Sequence, residues 1–178
     1  MNKHTLSLGC IFAAGVLLAG CQTNQMMRPA PTNGQIVKDV IVADQAEIAA
    51  AKLAKKKAVH RSVRQFANYL YTEHSHCLHK VMQFSHKSGI KPEDSQLASK
   101  IQKDSAEEMK MLETSSRQNF DKNYVNAMVN DHKEALAFLD DAIKHSTNPT
   151  LTKDLMEARK HVAKHLEKAE KLQHEMAY

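Results

Sequence analysis

From Gln35 onward the apolar positions of this chain recur at steps of three and four, the period of an α-helix, and nowhere in the alternation of a strand. Ile36, Val40, Ala43, Ala50 and Ala54 form a first stripe, which predicts a helix over 35–57. Val63, Phe66, Leu70, Cys77, Val81 and Phe84 form a second over 60–88, closed by Gly89 just past the helix end and by Pro92. No breaker separates these runs, so the turn is placed at 58–62, with Ser62-Val63-Arg64-Gln65 as a capping box. A less regular helix over 93–113 carries Leu97, Ile101, Met109 and Leu112. After a polar break with Asn119 as N-cap, Tyr124, Met128, Ala135, Leu139 and Ala142 predict a helix over 119–145. Asn148-Pro149 opens the last, over 149–176, whose stripe is Leu151, Leu155, Ala158, Val162, Ala169 and Leu172.

The order is helix pair, long connection with a helix of its own, helix pair. The expected fold is all-α: a ferritin-like four-helix bundle with one long crossover connection carrying an extra helix. Composition agrees, with no Trp, only 5 Gly, and a chain dominated by Ala, Lys, Glu, Leu and Met.

The first twenty residues stand apart from this pattern. Lys3 gives a positive start, and Ile11 to Ala19 form an apolar run too short for a spanning helix, so 1–20 reads as a signal peptide. Its end, Leu18-Ala19-Gly20-Cys21, resembles the lipobox of bacterial lipoproteins, which implies cleavage before Cys21 and a lipid on its thiol. Gln22 in the next position resembles lipoproteins sorted to the outer membrane, the periplasmic side being the favoured face. Residues 21–34 then serve as lipidated Cys and polar tether, reaching at most roughly 45 Å, and 35–178 as the folded domain. With Cys10 in the signal and Cys21 lipidated, Cys77 is the only free thiol, so no internal disulfide forms. The formal charge of +5 comes from interleaved acids and bases, which read as solvated helix faces. No basic stripe with aromatic platforms points to nucleic acid.

Four ionisable residues interrupt the four long stripes, one in each: Glu47, His74, His132 and His165. A charge or imidazole in a bundle core is costly without a partner. Glu47, His74 and His132 lie within a residue of the midpoints of their helices, and a one-residue offset is only about 1.5 Å. In aligned helices they meet at one level. On the last helix the midpoint falls between His161 and His165, which share a face, and both remain candidates. A shared transition metal ion (Zn, Fe, Mn or Cu) suits this donor set. A metal-free polar layer of His–carboxylate pairs is the alternative.

The neighbours have separate readings. Glu73 and Asp131 directly precede His74 and His132 and point about 100° away, as flanking partners or solvated rim acids. Asp44 lies one turn before Glu47, a candidate outer ligand. Cys77, one turn from His74, reads first as a small buried hydrophobe and second as a ligand. Glu73-x-x-His76 has the letters of a di-iron helix motif but lies off the stripe. His60, His76, His79 and His86 read as surface histidines.

Two stretches go beyond pattern. Phe66-Ala67-Asn68-Tyr69-Leu70-Tyr71-Thr72-Glu73-His74, preceded by Ala46-Glu47-Ile48, resembles the first half of the bacterial family called domain of unknown function 4142. Phe120-Asp121-Lys122-Asn123-Tyr124 through Asp131-His132, with His165-Leu166-Glu167-Lys168-Ala169, resembles its second half. The resemblance covers about residues 36 to 174 and implies an exported, ferritin-like bundle, often a lipoprotein, with recurrent polar positions at Glu47, His74, His132 and His165. Where the family commonly has Pro one turn before the last His, this chain has Lys160-His161. The resemblance supplies no activity. The expected function is metal handling or envelope stress tolerance by a lipid-anchored protein. A ferritin-like oxidase or peroxide-scavenging enzyme and a structural or interaction module are the other classes.

Overall fold

A threonine three residues ahead of a glutamine starts the first helix: Thr32 Oγ1 accepts the Gln35 amide at 3.1 Å while the Gln35 side chain accepts the Thr32 amide. The computed structural model describes residues 29–176. It places α1 at Asn33–Lys57, α2 at Arg61–Ser88, α3 at Gln96–Thr114, α4 at Phe120–His145 and α5 at Pro149–Glu175. Among the described residues there is no strand, and none of the helices is long and apolar enough to cross a membrane. The expected signal peptide, Cys21 and residues 22–28 of the expected tether lie outside the described residues.

The chain folds as two helix hairpins. α1 packs chiefly on α2 and α4 on α5, while α3 lies against α1 and touches α4 more lightly. The turn after α1 departs from the expected capping box, because Ser62 lies inside α2 and His60 is its N-cap without a side-chain bond. The cap comes from the other hairpin. Buried Asp121 accepts the Val59 amide at 2.9 Å and the His60 amide at 2.7 Å, so the start of α4 satisfies the start of α2. Asn119 stands at its expected N-cap position but makes no capping bond. Gly89 takes the left-handed φ of 73° expected of the residue ending α2. Asn148 caps α5 through the Thr150 and Leu151 amides, with Pro149 opening that helix.

α3 begins three residues later than its stripe suggested, because the Ser95 hydroxyl accepts the Ala98 amide and donates to buried Asp39 of α1. Its other end is closed by Lys57, whose ammonium donates to the carbonyls of Leu112 and Glu113 at 3.0 and 2.7 Å. Gly34 is needed where it stands: a Cβ there would meet the Lys91 carbonyl and the Glu93 side chain at 2.6 Å.

The core has three levels. One apolar cluster holds Ala50, Ala54, Phe66, Leu70, Phe120, Tyr124, Met128 and Leu172. The other holds Ile36, Val40, Val81, Phe84, Leu139, Leu155 and Val162. On each of α1, α2, α4 and α5 the break between them falls at one place, and there the polar residues sit.

Candidate metal centre

His74 from α2, His132 from α4 and His165 from α5 meet in this break. Each offers a ring nitrogen, and the three nitrogens lie within 4.8 Å of one another. Ring centroids are 5.2 to 5.7 Å apart and the planes are steeply inclined. All three residues are buried.

Two of the rings have a fixed orientation. Nδ1 of His132 donates to the Met128 carbonyl at 2.8 Å, and Nδ1 of His74 donates to Asp44 Oδ1 at 2.9 Å. In a neutral imidazole the proton on Nδ1 leaves a lone pair on Nε2, and both Nε2 atoms are buried with no partner. This is how metal-binding histidines are commonly held, one nitrogen anchored and the other free. His165 has no hydrogen-bond partner at either nitrogen and stands edge-on to Tyr69 at 5.2 Å. Of the seven buried, unpartnered side-chain N and O atoms among the described residues, six belong to Asp44, Glu47, His74, His132 and His165. A cavity of about 260 Å³ adjoins the layer, lined among others by Glu47, Glu73, His74, His132 and His165.

The electrostatics separate the three rings. Burial disfavours the charged form of His74, but the Asp44 bond with the charges of Glu47, Asp44 and Glu73 outweighs it and holds His74 above the usual imidazole range. Burial lowers His132 despite the pull of Glu47. Burial, then His74, His132, His161 and Lys168, push His165 down to about 2, so it stays neutral.

The other candidates are placed as follows. Glu47 flanks the cluster, with Oε1 3.8 Å from the anchored Nδ1 of His132, and it is not in the set within 4.8 Å. Burial raises its carboxyl above the usual range against the pull of His132 and His74. Asp44 orients His74. Cys77 packs with the apolar cluster, and burial pushes its thiol well up, which suits a small hydrophobe more than a thiolate ligand. His161 is on the rim, exposed, with Nδ1 2.9 Å from Glu73 Oε2. His60, His76, His79 and His86 are exposed. Asp131 lines the same cavity and interacts with Glu108 of α3; burial, then the Glu108 charge, raise Asp131 to about 9. Glu108 was not singled out from the sequence, although it breaks the Leu97, Ile101, Leu112 stripe as Glu47 breaks its own.

The chain belongs to the family described as Domain of unknown function (DUF4142), whose model matches residues 20–172. No curated protein and no solved structure matches the chain.

Proposed function

We propose that this DUF4142 member is a lipid-anchored envelope protein whose bundle core binds one transition metal ion through His74, His132 and His165. The observation that carries this reading is the trio of buried imidazoles with free nitrogens, two of them pre-oriented by bonds at the opposite ring atom. No protein group answers those nitrogens, and a bound ion would do so. Imidazole donors suit Zn, Cu, Fe or Mn, and Glu47, whose Oε2 is buried without a hydrogen-bond partner, is the carboxylate assigned to complete the set. Drawing the nitrogens from within 4.8 Å to the roughly 3.3 Å of a tetrahedral site needs only small ring movements.

The two hairpins joined by a connection carrying α3 support a ferritin-like ordering. The Leu18-Ala19-Gly20-Cys21 stretch supports export and lipidation at Cys21, with Gln22 favouring the outer membrane and its periplasmic side. The role is then metal handling or envelope stress tolerance. The cavity beside the triad favours a second reading, a ferritin-like oxidase or peroxide-scavenging centre with an open coordination position. Metal analysis of the full chain purified in detergent is expected to find one ion per chain, lost in His132→Ala. Equal metal in that variant, or none in the parent after loading with Zn, Mn, Fe or Cu, rejects the reading. Turnover of peroxide or Fe(II) by the loaded protein selects the enzyme.

A further inference from the structure

We infer that His161 and Glu73 form an outer cation-binding step through which the metal reaches the three buried histidines, an inference that rests on the metal-binding reading above. His161 and His165 stand one turn apart on the same face of α5, yet their side chains are 52% and 2% exposed. Between them, from α2, comes Glu73 at 31% exposure. A single oxygen, Oε2, lies 2.9 Å from Nδ1 of His161 and 3.9 Å from Nε2 of His165. One carboxylate oxygen is thus within reach of a ring in solvent and a ring in the core. His161, Glu73 and His165 line the same cavity as His74 and His132.

Stability does not account for this arrangement, since a half-exposed His–Glu pair contributes little. Ligand exchange does. Imidazole and carboxylate both bind cations of the Zn class, and two donors at the rim hold a partly hydrated ion without trapping it. The Glu73 oxygen can keep its bond while water is replaced by His165, whose two nitrogens have no hydrogen-bond partner. The ion then never crosses the apolar rim stripped of all its ligands, a step that burial of an unpaired charge makes prohibitive. The same cavity is also lined by Glu108 and Asp131, two carboxyls that interact with each other.

Stopped-flow uptake of Co²⁺ by the full chain, followed by the visible absorption of the bound ion, tests the step. His161→Ala is expected to slow uptake about tenfold while leaving one ion bound at the end. His161→Glu, which restores a donor, is expected to recover the rate, and Glu108→Gln to leave it unchanged. Wild-type rates in His161→Ala with the metal retained overturn the outer step and leave the buried site standing. Slow uptake that His161→Glu does not relieve, or slow uptake in Glu108→Gln, also overturns it. Loss of bound metal in His161→Ala makes His161 a ligand of the final site and rejects the outer step. No bound Co²⁺ in the parent chain overturns both readings.

Discussion

Leu70 and His74 stand one turn apart on α2, both nearly free of solvent, and only Leu70 finds all it needs among its neighbours. Leu70 lies in an apolar cluster whose members ask only for contact. His74 lies in the layer above it, where Asp44 answers one nitrogen and nothing answers the other. The same contrast separates Met128 from His132 on α4 and Ala169 from His165 on α5. Apolar ends hold the helices together by area removed from water. The layer between them adds polar atoms that no protein group answers, which suits them to a ligand. On the metal-binding reading, stability and function therefore lie at different levels of one bundle.

The largest expected effect comes from breaking each level in turn. Leu70→Ala is expected to cost about 2–5 kcal/mol in denaturant unfolding, equally with metal and with chelator. His165→Leu is expected to do the opposite: the metal-free protein gains stability, and the increment from metal, about 2.7 kcal/mol at a hundredfold excess over Kd, disappears. A loss of stability in metal-free His165→Leu comparable to that of Leu70→Ala would show that the layer is ordinary core.

A smaller effect sharpens the comparison within the layer. Asp44→Asn keeps the size of the residue that orients His74 but weakens its hold on Nδ1–H. Metal affinity is expected to fall about 10–100-fold, read by competition with a chromophoric chelator, while the unfolding midpoint of the metal-free protein moves little. An unchanged affinity would remove Asp44 from the site.

The pH dependence of the metal-free protein distinguishes the triad from the carboxyl pair beside it. His165 is held near 2 in the fold against 6.5 in the open chain. Between these values the unfolded state binds the extra proton, so the stability tied to neutral His165 is complete above about pH 6.5 and is lost as pH falls. Asp131, raised to about 9 from 3.8, acts the other way: its contribution declines as pH rises through that window. His165→Leu is expected to flatten the acid limb of a Tm-against-pH curve and Asp131→Asn the alkaline limb. Identical limbs in parent and variants would contradict both assignments.

Much of this was legible in the letters because it depends on one helix at a time. Stripes gave the five helices to within a few residues, and counting to the midpoints put the polar interruptions at one height. What escaped depends on contacts between helices. Asp121 caps α2 from the other hairpin, so the local letters at Ser62 pointed to a capping box that does not form. Thr32 and Gln35 do spell a capping box, but they follow two prolines in a stretch that reads as tether. His161 and His165 share a face by spacing, and the rotation of α5 against α2, which puts one on the rim and the other in the core, is a matter of packing. Glu108 was hidden by the irregular stripe of α3.

The central claim is that three imidazoles from three helices share one ion. X-ray absorption at the edge of the metal bound to the full chain counts them directly. The expected result is three imidazole nitrogens at about 2.0–2.1 Å with one or more oxygens beside them. A shell of oxygens alone, or a single imidazole, would contradict it.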